Sequence, residues 1–243
     1  METLYSEVKE VIENSDNIVF FGGAGVSTAS NIPDFRSSTG LYNSETGQHY
    51  TPEYMLSHSF FRDHPNEFAQ YYKKNLIYPD AKPNKAHIAL AKLEERGKLK
   101  AVITQNIDGL HQKAGSKNVL EIHGNLTDYY CVKCKKAYDL DYVLKKEGID
   151  YCENCGGIVR PDVVLYEEQL NYDVFDKAIE AISNADVFIV GGTSLVVYPA
   201  AGLLRYYNGN KLILMNMEPT TQDRLANYVL HGDISKILGE MFC

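Results

Sequence analysis

Apolar residues recur along this chain in two alternating rhythms. Short β-branched runs that end in small or polar residues occupy Ile18 to Phe21, Ala101 to Thr104, Val119 to Ile122, Val187 to Val190 and Leu212 to Met215. Runs of this length without polar alternation predict strands buried on both faces, as in a parallel sheet. Between them the apolar spacing becomes helical. Thr3 to Asn14 carries Leu4, Val8, Val11 and Ile12 on one face, and Tyr172 to Ala185 carries Val174, Phe175, Ala178, Ile179 and Ile182. Asn84 predicts the cap of a helix bearing Ile88, Leu90, Ala91 and Leu93, which stops at Gly97. Strands alternating with helices predict an α/β fold, a Rossmann-like doubly wound parallel sheet whose ligands sit beyond the carboxyl ends of the strands.

Two stretches break this rhythm. From Leu41 to Tyr78 no strand is predicted, only aromatic-rich helical segments such as Ser59 to Leu76, and from Asp128 to Pro161 four cysteines sit among Lys, Tyr and Gly. The main domain is therefore expected to be discontinuous, made of residues 1–40, 79–127 and 161–243. A helical insertion, 41–78, and a ribbon, 128–160, would form a smaller second module.

Composition narrows the chemistry. With 243 residues and 44% hydrophobic content the chain can bury a sizeable core. The formal charge of −8 argues against nucleic acid or an anionic membrane surface as a partner, because those are held by surplus Lys and Arg. Met1 to Ser15 holds Glu2, Glu7, Glu10 and Glu13 against Lys9, so the basic start of a secretory signal is missing and a cytoplasmic protein is expected. In that compartment five cysteines point to metal or catalysis before disulfides. Cys131 and Cys134 form one CxxC pair and Cys152 and Cys155 another, which predicts two knuckles closing on one tetrahedral Zn2+. Sulfur in all four positions leaves no place for an activated water, so the metal would be structural; a pair of reduced or redox-active dithiols is the alternative. Cys243 would be a free terminal thiol.

The strand ends carry the remaining signals. Phe20 to Phe21 runs into Gly23-Ala24-Gly25, where a backbone without Cβ atoms, followed by a helix N-terminus, would approach a pyrophosphate closely. Thr28 replaces the third glycine of the dehydrogenase fingerprint, and no acidic strand end follows at the usual distance, which disfavours hydride transfer. Ile32 to Arg36 is a proline-stiffened loop with an aromatic and a guanidinium suited to a nucleotide phosphate. Thr104 to His111 concentrates Gln105, Asn106 and Asp108 at a strand end, a polar pocket floor. His123 and His111 are each either a general base or a structural ring. Thr193, Ser194 and Asn216 suit phosphate and ribose, or ordinary turn chemistry.

In order and spacing, GAGVSTASNIPDFR, TQNIDGLH, the HG pair, the two CxxC pairs, RPDVVLYEE, GTSL and NMEP resemble the sirtuin (Sir2) family over nearly the whole chain. The resemblance implies an NAD-dependent protein-lysine deacetylase that transfers the acyl group to ADP-ribose and releases nicotinamide. It implies that Ala24, Thr28, Phe35 and Arg36 line the loop over NAD, that Gln105 contacts ribose, and that Ile107 and Asp108 hold nicotinamide. Thr193, Ser194, Asn216 and Asp233 would serve the phosphates and adenosine, His123 would be the base that activates a ribose hydroxyl, and Asn106 would order water or ribose. The acylated peptide would enter as an added strand along Val164, Leu165 and Tyr166, Val164 receiving the amide N–H of the acylated lysine.

Three departures stand out. Asn31 and Glu167 occupy positions where the family usually has Gly; Glu167 would also attract substrates with nearby Lys or Arg. Relatives that remove succinyl groups carry a Tyr and an Arg on the helical insertion, where this chain has Ala69 and Tyr72, so uncharged acyl groups are expected. Two other functions remain open at this stage: ADP-ribosyl transfer to protein on the same scaffold, and a non-catalytic zinc-ribbon module that senses NAD.

Overall fold

The computed structural model describes residues 2–37, 40–43 and 50–243. In chain order its helices and strands are α1 (Glu2–Glu13), β1 (Ile18–Gly22), α2 (Pro52–Met55), α3 (His58–Asp63), α4 (Pro65–Asn75), α5 (Lys85–Glu95) and β2 (Leu99–Thr104). There follow α6 (Leu110–Ala114), β3 (Val119–Glu121), β4 (Gly124–Cys131), β5 (Ala137–Asp139), α7 (Leu140–Val143), β6 (Asp150–Tyr151) and β7 (Ile158–Val163). The chain closes with α8 (Tyr172–Ser183), β8 (Val187–Gly191), β9 (Leu212–Asn216), β10 (Tyr228–His231) and α9 (Ile234–Phe242).

Six strands form a wholly parallel sheet in the order β10-β9-β8-β1-β2-β3. Successive side chains of a strand point to opposite faces, and both faces are covered. Ile18 and Phe20 of β1 pack with α1, α5 and α9, while Val19 and Phe21 pack with α8 and the 3-10 helix Ala200–Tyr206. Helices on both faces make this the doubly wound sheet expected. Among the elements that went unanticipated are β10, short and ending in His231, and the amphipathic α9.

A second, four-stranded antiparallel sheet runs β5-β4-β7-β6. Its side chains and Val143 of α7 share one hydrophobic cluster with the helical insertion, Met55, Phe60, Phe68 and Tyr72 packing with Leu126, Tyr129, Val143 and Val159. The segment expected as one helix, Ser59 to Leu76, is broken into α3 and α4 at His64, because Pro65 disfavours helical geometry in the residue before it. The expected edges of the ribbon, at 127/128 and 160/161, fall inside β4 and β7, which run unbroken from the neighbourhood of His123 into the ribbon. Residues 44–49 of the insertion lie outside the described residues.

Candidate functional site

In a parallel sheet every strand ends on the same edge, and the loops that leave β1, β2, β3, β8 and β9 meet there around a cavity of about 1270 Å³. The tips of β1 and β8 touch. The Gly25 N–H donates to the Gly192 carbonyl at 2.8 Å, and a Cβ on Gly25 would lie 2.9 Å from the Gly192 Cα. Gly192 adopts φ +61°, so neither glycine tolerates a side chain, and both leave bare backbone facing the cavity. The helix N-terminus expected after Gly25 does not form: the chain makes 3-10 turns at Ala24–Val26 and Thr28–Ser30 instead.

Side chains from four strand ends form two hydrogen-bonded sets on the cavity floor. Asn106 donates its amide to Ser27 Oγ at 3.1 Å, and the Ser27 hydroxyl donates to Asp108 Oδ2 at 2.7 Å. Gln105 donates to Thr193 Oγ1 at 2.9 Å, and the Thr193 N–H donates to Asn216 Oδ1 at 2.9 Å. Asp233 caps α9 by accepting from the Ser235 N–H at 2.8 Å, beside the Asn216 end of the cavity. The Asn216 amide nitrogen is buried without a partner, an unfilled donor at the cavity wall.

His123 sits between β3 and β4, its Nδ1 3.1 Å from the Gln105 carbonyl oxygen. That oxygen can only accept, so Nδ1 carries the ring proton and Nε2 keeps its lone pair. Burial pushes the His123 ring below its ordinary value, while the bond to Gln105 works against that shift. The outcome is a neutral imidazole with a free basic nitrogen at a cavity wall. His111 has a different fate. It is 1% exposed, packs edge-on against His87 with ring centroids 4.7 Å apart, and lies behind the cavity as a structural ring.

Every residue assigned above to catalysis, nucleotide or peptide borders this cavity, and the four cysteines are gathered elsewhere. At the peptide side, the Val164 N–H donates to the His123 carbonyl at 2.9 Å, while the Val164 carbonyl accepts nothing from the described residues. Tyr166 Oη lies 2.8 Å from Tyr42 Oη, and Arg36 sits over the Tyr42 ring, 5.1 Å from its centroid. Residues not singled out in the sequence also border the cavity, among them Ser27, Tyr42, Glu168, Tyr172, Tyr198 and Glu218. Ser27 was inside a quoted motif, and its proximity to Asp108 needs the fold to bring residues far apart in sequence together. Glu168 was equally hidden, because its partner Arg160 lies on the far side of a turn.

The departures from the family pattern have structural explanations. Asn31 and Glu167 both adopt the left-handed backbone, at φ 62° and φ 74°, so the geometry glycine would supply is retained. The Glu167 carboxylate is exposed at the cavity border and accepts the Ser59 N–H at 2.9 Å at the start of α3, which lowers its proton affinity. Ala69 and Tyr72 are 3% and 2% exposed and packed in the small-module core, whereas Leu56, Leu76 and Tyr78 border the cavity from that side.

The four cysteine sulfurs lie within 4.8 Å of one another, Cys131 to Cys155 and Cys134 to Cys152 each 3.5 Å apart. A tetrahedral zinc with bonds of about 2.3 Å needs sulfurs about 3.8 Å apart, so this donor set fits Zn2+ and leaves no open position. Tyr138 Oη donates to Cys152 Sγ at 3.1 Å, the kind of outer hydrogen bond that orients a ligand.

Fold and site together define a dinucleotide-binding α/β protein with a base at the strand tips and a four-cysteine module beside them. The Sir2 family model matches residues 23–199, and this chain belongs to that family. An NAD-dependent protein deacetylase of Clostridium tetani (strain Massachusetts / E88) is 60% identical over 96% of this chain and 94% of its own length. One of Clostridium perfringens (strain 13 / Type A) is 58% identical over 99% of both chains. Among solved structures, a Sir2 enzyme at 39% identity superposes with a TM-score of 0.89, covering 100% of this chain and 97% of the other. A Sir2 protein bound to acetylated peptide, 38% identical, gives 0.83 over 97% and 95%. No helix among the described residues is long and apolar enough to cross a membrane.

Proposed function

We propose that this chain is an NAD-dependent protein-lysine deacetylase that transfers the acyl group to ADP-ribose with release of nicotinamide. The observation that carries this reading is the orientation of His123: Nδ1 is spent on the Gln105 carbonyl, and Nε2 is left basic at the wall of a cavity lined by the tips of the parallel strands. The bare backbone at Gly25 and Gly192 and the unfilled Asn216 donor fit a dinucleotide, with Ala24, Thr28, Phe35, Arg36, Gln105, Ile107, Asp108, Thr193, Ser194 and Asp233 around it. NAD bound there supplies a ribose carbon open to the acyl oxygen once nicotinamide leaves.

The chain's own residues then have distinct tasks. His123 Nε2 takes the proton of a ribose hydroxyl, and the Gln105 carbonyl steadies the imidazolium that forms. Ser27 and the Leu110 N–H fix the Asp108 carboxylate so that it can accept from the nicotinamide carboxamide. Asn106, fixed on Ser27, orders ribose or water. Val164 offers its unfilled carbonyl to the amide of the acylated lysine, and Leu165 and Tyr166 flank the side chain. Such main-chain recognition tolerates many sequences.

Two domains divide this work: residues 1–40, 79–127 and 161–243 hold NAD, and 41–78 with 128–160 form the small module. Cys131, Cys134, Cys152 and Cys155 hold one structural Zn2+ there; a reducing, cytoplasmic setting keeps them out of disulfides, and the charge of −8 turns nucleic acid away. The test is product analysis by mass after mixing the chain with NAD and an acetyl-lysine peptide. Deacetylated peptide, nicotinamide and acetylated ADP-ribose are expected in equal amounts. His123→Ala is expected to abolish them with one zinc per chain retained; full activity in that variant, or nicotinamide release that ignores the peptide, would sink the reading.

A further inference from the structure

The stretch from Val164 to Glu168 lies beyond the end of β7 and belongs to no strand, so its position depends on individual contacts. Three are made by backbone. The Val164 N–H reaches the His123 carbonyl at 2.9 Å, the Tyr166 N–H reaches the Leu56 carbonyl at 3.0 Å, and the His58 N–H reaches the Tyr166 carbonyl at 3.0 Å. One side chain joins the elements that those contacts touch separately. Glu168 Oε1 accepts from Arg160 Nη1 at 2.6 Å and from His58 Nδ1 at 2.9 Å. Its Oε2 accepts from Arg160 Nη2 at 3.0 Å and from the Leu165 N–H at 2.9 Å.

A carboxylate offers about four lone-pair sites, and here all are taken. Glu168 therefore has no capacity left for substrate, although it borders the cavity. Arg160 is 5% exposed on β7, and its Nη2 also donates to the Val163 carbonyl at 2.8 Å. His58 opens α3 and is half exposed. A single carboxylate thus fastens the peptide-receiving backbone to the ribbon strand on one side and to the helical insertion on the other.

We propose that Glu168, with His58, is a positioning residue pair for the acylated peptide, holding the Val163 to Tyr166 backbone where an incoming strand can pair with it. This rests on the deacetylase reading above. Neither residue touches the floor formed by Asn106, Ser27, Asp108 and Gln105, so the effect falls on peptide binding and spares the chemistry and NAD.

Steady-state kinetics on purified, zinc-quantified protein, with acetyl-lysine peptide and NAD varied separately, test this. Glu168→Gln removes the charge and replaces one accepting oxygen with an NH2 that faces donors, and the peptide KM is expected to rise about tenfold or more. His58→Ala removes one of the bonds and is expected to raise it about threefold. In both, kcat, the NAD KM and zinc content stay at wild-type values. His58→Asn, whose amide N–H can replace Nδ1–H, is expected to restore the peptide KM. The proposal is overturned if the peptide KM is unchanged in His58→Ala, or if kcat and both KM values move together with a lowered Tm. Should Glu168→Gln not fold, His58→Ala and His58→Asn carry the test by themselves. A wild-type chain that turns over no acetylated peptide overturns the deacetylase reading too, whereas normal turnover with an indifferent His58→Ala overturns this proposal alone.

Discussion

The central strands of the six-stranded sheet contain no ionisable side chain: β1 and β8 are built from Ile, Val, Phe and Gly, all buried. The small module closes its core with other chemistry. It buries the phenols of Tyr72 and Tyr129, places the four thiols in one cluster, and drives the Lys73 ammonium onto Asp150, which is 1% exposed. The central sheet is held by apolar area; the small module adds to an apolar cluster of its own a set of thiols and an ion pair, each of which needs its partner present. The difference predicts unequal responses to single changes.

Removing the metal site should have the largest effect. Cys131→Ser is expected to release zinc and unfold β4 to β7 with their covering helices, because structural zinc contributes about 10 kcal/mol or more in small zinc modules. The amides of β1, β8 and β9 should stay protected from hydrogen exchange. Equal loss of protection in both sheets would show that the two regions fold as one unit. An unchanged Tm with full zinc occupancy would remove thiolate ligation as the source of the module's stability.

The buried ion pair comes next. Lys73 Nζ donates to Asp150 Oδ2 at 2.7 Å and to the Val143 carbonyl at 2.9 Å. Lys73→Met leaves the Asp150 charge with only the more distant Lys146 and should cost about 3–5 kcal/mol in denaturant unfolding. Adding Asp150→Leu should recover most of that loss, since an apolar pair avoids the stranded charge. A double variant as unstable as the single one would mean that the lysine acts through its carbonyl bonds instead.

The main domain has one polar seam of its own. Burial holds the His87 ring down at about 4 and the His111 ring at about 3, and their mutual repulsion lowers His111 further. Both values lie below the ordinary 6.5 of the unfolded chain, so the unfolded chain takes up protons first as the pH falls. Stability is complete above pH 6.5 and should decline below it, by about 1 kcal/mol for each ring between pH 7 and 5.5. His111→Phe, which keeps the aromatic packing, should flatten that slope; an unaltered slope would place the sensitivity elsewhere.

What could be read in the sequence follows the same division. The five predicted strands were visible because a strand covered on both faces must be apolar at every position, and their tips carried the polar residues that now border one cavity. The CxxC spacing was visible for an equally local reason. Polar pairing between elements left no such trace: Lys73 with Asp150, Arg160 with Glu168 and Ser27 with Asp108 join residues whose proximity depends on register, turns and packing. β10 was missed because a short edge strand ending in His231 lacks the apolar continuity of the others.

The smallest predicted effect concerns Asn31, the main-domain position where glycine was expected. At φ 62° and ψ 27° it lies in the left-handed region, which Asn tolerates better than other residues with a side chain and which glycine occupies without strain. Asn31→Ala should destabilise by about 1 kcal/mol, while Asn31→Gly should change little, its easier fit offset by greater freedom in the unfolded chain. Glu167 is the counterpart at the small-module edge, and there the same exchange should go the other way. Glu167→Gly relieves φ 74° but also removes the carboxylate that accepts the Ser59 N–H. That bond satisfies an N–H of the first turn of α3 that the helix itself leaves unpaired, so the variant should be less stable than wild type by thermal unfolding. A stabilised Glu167→Gly would mean that backbone strain outweighs side-chain bonding at the module edge, and the contrast drawn between the two regions would fail where it is finest.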